Sequence, residues 1–253
     1  MRNLKITSIL VVLFSVFMTS CSNEPVDPNL AAQLTASTNP GGGTTSGGGG
    51  STSTTGDYWP SALNNEWVLT SGGTQNTMKM ISVDNIGGYT YYTFNSQSGM
   101  GSSSSASNVV TRLRKDSGDY YLKVDDMNIT GGGISGTMTG YEMILLKDYL
   151  NVNSTWNGAF TQTVTYTGIP AISMNNTYLG TIIEKNSSLT VNGVNYNSVI
   201  KVKIHQEVSA MGSVSSTDTY YWFAKNIGVI KSEIYQAGSS VPTTSELVTY
   251  HLY

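Results

Sequence analysis

Two histidines, a single cysteine near the N-terminus and a few acidic pairs are all that this sequence offers for metal-binding or bond-breaking chemistry. His205 and His251 stand outside any H-x-x-E-H or H-E-x-x-H arrangement, and Lys203 shares a strand face with His205, where its charge opposes a metal ion. No metal centre is expected. A glycosidase needs two carboxyl groups facing one bond; the candidates are Asp125-Asp126, Asp116 with Asp119, and Glu142 with Asp148. Adjacent strand residues point to opposite faces, which makes Asp125-Asp126 a poor dyad. Asp116 and Asp119 flank a Ser-Gly pair and read as turn formers. The chain is rich in Ser but has no G-x-S-x-G elbow. Gly131-Gly132-Gly133 leads into more β pattern and no helix, so it reads as a bulge or loop and not a phosphate cradle. No catalytic residue is assigned, no cofactor is expected, and the chain reads as non-enzymatic.

The aromatic residues offer binding chemistry instead. Sixteen Tyr and four Trp in a weakly charged chain could stack on a glycan or line an apolar cleft. The densest runs place Tyr220, Tyr221, Trp222 and Phe223 together, and Tyr89, Tyr91 and Tyr92 together. These seven are the candidate ligand-binding residues. Alternation puts Tyr89 and Tyr91 on one face and Tyr92 and Phe94 on the other; likewise Tyr220 and Trp222 oppose Tyr221 and Phe223. Such strands are either covered on both sides or line a cavity with one.

The elements that must carry these side chains are strands. Tyr, Thr, Val and Ile fill the runs, with Gly, Asn, Asp and Ser between them. Strands are expected near 65–71, 76–83, 88–95, 108–116, 119–126, 137–146, 160–167, 178–185, 197–208, 216–225, 228–236 and 245–252. Hairpin turns are expected at Asn85-Ile86-Gly87-Gly88, Asp116-Ser117-Gly118-Asp119 and Asn192-Gly193. In residues 198–205, Ile200, Val202 and Ile204 share a dry face, and Lys201, Lys203 and His205 a wet one. The fold class is all-β: about ten to twelve antiparallel strands in one strongly curved meander sheet, of half-barrel or β-clam kind, with a β-sandwich as the alternative.

That domain occupies residues 57–253, long enough for a sizeable core. Residues 35–56 are almost entirely Gly, Ser and Thr, which cannot bury enough surface to offset their ordering, so a disordered spacer is expected there. Its 22 residues span roughly 25 Å as a coil. Before it, Arg2 and Lys5 precede an uncharged apolar run over residues 6–18. Thirteen helical residues rise only about 20 Å, short of a bilayer core of about 30 Å, so the run reads as a signal h-region.

The tetrapeptide Met18-Thr19-Ser20-Cys21 resembles the lipobox of bacterial lipoproteins. The resemblance implies cleavage after residue 20 and lipid attachment at Cys21, with residues 21–56 as lipidated N-terminus and tether. Ser22, in place of the Asp that favours inner-membrane retention, implies the outer membrane. Without its signal the chain has 11 basic and 16 acidic residues, a net charge of −5, and no basic patch. Nucleic acid is therefore excluded as a partner. The membrane, reached through Cys21, is the expected partner, with a glycan, lipid or envelope protein beside it.

Tyr58-Trp59-Pro60 with Asn65-Glu66-Trp67, the strand VNGVNYNSVIKV over residues 191–202, and the hairpin YWFAKNIGVIK over residues 221–231 resemble an uncharacterised family of Gram-negative envelope lipoproteins. Asn65 and Asn226 stand where that family has Gly, and Asn tolerates the positive φ that the turns require. The resemblance implies a curved antiparallel half-barrel and no known reaction. The expected role is a non-enzymatic binding module for an apolar ligand, a glycan or an envelope partner; the alternatives are a structural or assembly component of the outer membrane, and, third, a hydrolase.

Overall fold

The computed structural model describes residues 56–96, 106–107, 109–131 and 134–253. Cys21, the signal segment and the spacer up to residue 55 lie outside the described residues, as do Gly132 and Gly133. Fifteen strands form among those described: β1 Glu66–Ser71, β2 Thr74–Ile86, β3 Tyr89–Phe94, β4 Ala106–Ser107, β5 Thr111–Asp116, β6 Asp119–Val124, β7 Met127–Gly131, β8 Ile134–Met138, β9 Tyr141–Lys147, β10 Thr155–Tyr166, β11 Ile172–Val191, β12 Val194–Ala210, β13 Ser213–Ala224, β14 Gly228–Gln236 and β15 Thr243–His251. All pair antiparallel in one sheet, in the order β4-β7-β8-β10-β11-β12-β13-β14-β15-β1-β2-β3-β5-β6-β9. No helix occurs among the described residues.

The twelve expected strands all form, and three more join them. The run expected at 137–146 divides at Gly140, so that Ile134–Met138 pairs with β10 while Tyr141–Lys147 pairs with β6. A side chain at Gly140 would strike the backbone of Val124 and Asp125. Met127–Gly131 and Ile134–Met138 form a hairpin around the glycine run; their Gly and Asn content hid the strand pattern.

Turn chemistry sets the register. The three expected hairpins close over Gly87-Gly88, Ser117-Gly118 and Asn192-Gly193, and Gly72-Gly73 and Met211-Gly212 make two more. All ten residues have positive φ, the two-residue geometry that matches strand twist. Asn226 has φ 61 as expected, but in the N-terminal motif the positive φ belongs to Asn64 (φ 73). Asn65 is fully buried instead; its amide donates to the Pro60 carbonyl and its oxygen accepts from the Tyr253 N–H.

The sheet bends at β2. Residues 74–79 pair with β1 and residues 80–86 with β3, with an irregularity between Met80 and Ser82. The bend folds one leaf (β3, β5, β6, β9) over the other (β10 to β15 and β1). Trp59, Trp67, Met80, Phe94, Leu113, Leu146, Ile182, Ile200, Phe223 and Ile230 fill the space between them. The clam-like expectation holds.

Three devices seal this core. The segment where the chain enters is pegged into it: Tyr58 and Trp59 are buried, the Tyr58 N–H donates to the Tyr120 hydroxyl at 2.8 Å, Lys115 pairs with Asp57 at 3.0 Å, and the Asn226 N–H donates to the Asp57 carbonyl. The tip of the β11/β12 hairpin kinks at Asn186 and Ser198, both with positive φ, and covers one end. Val191 and Tyr196 join the core there, and the Asn192 amide donates to the Leu247 carbonyl at 2.8 Å.

The third device closes the seam at β9, the last strand of the sheet. The Ile144 N–H donates to the Tyr178 hydroxyl at 3.1 Å, and the Ile144 carbonyl accepts from the Trp156 indole at 3.0 Å. An edge that would otherwise invite another strand is thus satisfied by side chains from the opposite leaf. Each ring lies across a cross-strand glycine: Trp156 pairs with Gly180 and Tyr178 with Gly158. A Cβ at either glycine would overlap the ring facing it.

Candidate functional site

Registers across β10 to β15 sort the side chains sharply. The inward rows hold Phe160, Asn176 and Val208; Tyr178, Gln206, Thr217 and Gln236; Gly180, Ile204, Thr219, Ile234 and Thr243; and Ile182, Val202, Tyr221, Ser232 and Ser245. None is charged. The outward rows hold His205, Asp218 and Tyr235; Lys203, Tyr220 and Glu233; and Lys201, Trp222, Lys231 and Glu246.

The inner face is filled near Trp67 and open further along. Phe160, Gln206, Thr217, Thr219, Tyr221, Ser232 and Ile234 are only partly buried. Tyr141, from β9, stacks flat on Phe160 with ring centroids 4.5 Å apart. Burial pushes the hydroxyls of Tyr141 and Tyr221 well above the ordinary tyrosine range, and the nearness of Tyr141 raises Tyr221 further. Tyr141, Phe160 and Tyr221 are all only partly buried, so this stretch of the inner face stays open to solvent as a shallow recess. Neither hydroxyl has a hydrogen-bond partner among the described residues. Beside them, Gln206 donates to Asn176 at 3.0 Å, and Gln162 donates to the Thr139 carbonyl at 3.2 Å. Tyr141, Phe160 and Tyr221 thus offer aromatic faces beside amides and hydroxyls, the equipment for an uncharged polar ligand.

The outer face is spent on itself. Lys201 and Lys231 lie over the Trp222 ring at 4.9 and 5.4 Å, and Lys201 and Lys203 over Tyr220 at 5.3 and 5.9 Å. Each ammonium also has a carboxylate: Glu184 for Lys201, Asp218 for Lys203, Glu233 and Glu246 for Lys231. His205 hydrogen-bonds Asp218 through Nδ1 at 2.6 Å, while Nε2 faces Glu207 at 3.7 Å. The wet face read from the sequence carries a compensated ionic network.

The bond to Asp218 holds the His205 imidazole above its usual value of about 6.5, with burial opposing and the two carboxylates assisting. A raised folded value means that this stability is complete below about pH 6.5 and is lost as pH rises through the higher folded value. Asp218 is shifted the other way: burial opposes its ionisation, but bonds from His205 and Lys203 prevail, so its contribution fades in acid. Measured by urea unfolding, the stability of the natural protein relative to His205→Gln should therefore fall over the range above about pH 6.5, by about 1 kcal/mol or less at these partly exposed positions. A difference that stays constant across that range would contradict the assignment.

The seven candidate aromatics are not brought together. Phe223 is fully buried and packs against Trp59 at 6.0 Å. Tyr92 also faces inward, against the core. Tyr220 and Trp222 belong to the outer network. On the outer face of the second leaf, exposed Tyr89 and buried Tyr91 box the Arg114 guanidinium together with Tyr121, at 4.4, 5.9 and 3.5 Å. Glu142 completes that box, taking bonds from Arg114 and the Tyr91 hydroxyl at 3.0 Å each. Of the seven, Tyr221 alone reaches the recess. Tyr141 and Phe160 were not expected there: Tyr141 is the lone aromatic of β9, and Phe160 stands four residues from Trp156 and six from Tyr166, outside any aromatic run.

No protein-family profile and no curated protein matches this chain. Two solved structures are similar to it, and the first shares its fold. A protein from Parabacteroides distasonis, designated a lipoprotein, has 13% identity and a TM-score of 0.52, over 78% of this chain and 99% of its own. A protein from Bacteroides fragilis, designated an exported protein with a YmcC-like fold, has 11% identity and a TM-score of 0.45, over 78% of this chain and 100% of its own.

Proposed function

We propose that this chain is an outer-membrane lipoprotein, held by a lipid on Cys21, that binds a neutral glycan on the inner face of β10 to β14 and performs no chemistry on it. The observation that carries the reading is the absence of charge from the inward rows of these strands, beside the partly open Tyr141, Phe160 and Tyr221. A sugar without charge is held by aromatic stacking and by hydroxyl and amide hydrogen bonds, and this face supplies both. An ionic ligand would lose hydration there with no partner in return. The lipobox resemblance supports the anchor, and the Parabacteroides protein, designated a lipoprotein and alike in fold, supports the placement in the envelope. One observation favours a second reading, a structural component acting through its surface: the other half of the inner face is packed solid around Trp67 and Phe223.

The test is a panel of neutral and acidic oligosaccharides, followed by calorimetry on the hits. A neutral hit should weaken about tenfold or more in Tyr221→Ala and persist in Tyr221→Phe, which keeps the ring. If no neutral glycan binds, the glycan reading is lost. Salt-sensitive binding of acidic sugars would move the site to the outer lysines.

A further inference from the structure

The four hairpin tips at one end of the long leaf carry no charge. The registers set them in a row: the β10/β11 turn over residues 167–171, Met211-Gly212, the β14/β15 loop over residues 237–242, and Gly72-Gly73. No charged residue occurs between Asp148 and Glu184, between Glu207 and Asp218, between Glu233 and Glu246, or between Glu66 and Lys79. Yet apolar side chains project from this end. Met211, Val214 and Val241 are 63, 64 and 76% exposed, and Pro170 is exposed beside them.

We propose that this rim docks on the surface of a lipid bilayer, the same one that holds Cys21. Separate apolar points without a pocket, an aromatic anchor or an arginine suit a fluid partner better than a protein surface, which must match them in shape. Lack of charge removes the main cost of entering the interfacial layer. The two-residue turns at Gly72-Gly73 and Met211-Gly212 belong to paired strands and carry in little unpaired backbone, and the loop that bears Val241 bonds part of its own: the Ser239 N–H donates to the Gln236 carbonyl and the Val241 N–H to the Ser239 hydroxyl.

Chain length agrees with this. The chain enters the domain beside Asn226, at the opposite end of β13 from its tip at Ser213. The twelve residues of β13 extend about 40 Å. The tether expected over residues 21–56, 36 residues, would have a relaxed span of about 30–36 Å. A linker whose relaxed length matches the gap it bridges gives the highest local concentration, so a weak contact at the rim is sustained. This clause rests on the lipid anchor; the rim itself is independent of the glycan face.

The experiment uses unacylated chain 22–253, which keeps every described strand and buried residue, in flotation with zwitterionic phosphatidylcholine vesicles. With lipid in large excess a fraction of the natural chain should float with them; about 0.5 M salt should not release it, but dilution should. The triple variant Met211→Asp, Val214→Asp, Val241→Asp should float about tenfold less or worse. These positions are exposed, so its unfolding midpoint should match the natural chain; should the triple variant misfold, Val241→Asp alone gives the same direction. Tyr221→Ala should float normally, which separates this result from a failure of the glycan reading. The proposal is overturned if the natural chain stays with the buffer, if the Asp variants float unchanged, if only anionic vesicles bind and salt releases them, or if the three residues govern self-association instead.

Discussion

Gly180→Val should cost about 3–5 kcal/mol and part the two leaves of the sheet. The valine side chain would occupy the place of the Trp156 ring, which lies across Gly180 and is almost fully buried. Displacing the indole removes a large buried surface and leaves the Ile144 carbonyl without its donor. Tyr178 over Gly158 is the neighbouring half of the latch and would be strained with it. Trp156→Phe is the graded control: one six-membered ring stays, while the N–H and part of the buried indole are lost, for about 2–3 kcal/mol. Ala159→Val, on the exposed outward face of the same strand, should change almost nothing. Urea unfolding separates the three. A Gly180→Val protein within about 0.5 kcal/mol of the natural one would mean that the latch is not a seam under load. An opened seam would also bare the β9 edge, so aggregation should accompany the loss.

Cys21→Ala should move the protein from the membrane fraction to the soluble one. Each buried CH₂ contributes about 0.8 kcal/mol, so two or three acyl chains hold essentially permanently, and nothing in the domain compares. Fractionation after a high-salt wash, with labelled fatty acid as a second readout, checks it. Any trace left on membranes should be what the uncharged rim supplies, and should fall further when Met211, Val214 and Val241 become Asp. Full retention of Cys21→Ala would refute the lipid attachment.

Local signals made most of this fold legible. The alternation of Ile200, Val202 and Ile204 against Lys201, Lys203 and His205 is reproduced side chain for side chain, because a half-buried strand has only one way to face. The Asn-Gly and Ser-Gly turns closed where expected, because few other residues accept two successive positive φ angles. What the sequence hid is long-range. Trp156 and Ile144 meet through a backbone carbonyl, which leaves no mark on residue type at 144. Tyr91 read as a ligand residue, but its surroundings depend on Arg114 and Glu142, from two other strands. The recess escaped notice for the same reason: Tyr141 and Phe160 stack only once β9 has crossed the other leaf. A cross-strand pairing of glycine with a large aromatic was the one visible hint, and it needed the register to be known first.

Where the chain enters also decides how the domain takes a pull. Tension along the residues before Gly56 arrives at Asp57, Tyr58 and Trp59, which are not part of any strand. It is borne by two buried rings, the Tyr58 bond to Tyr120 and the Lys115 pair, and passes from them into the core. No ladder of hydrogen bonds lies in that path to be unzipped from its end. At the other terminus the Tyr253 N–H is fastened to Asn65, only a few residues from the peg. The strands are thus out of the line of force, and a drag on the tether would have to draw the peg before it could unravel the sheet.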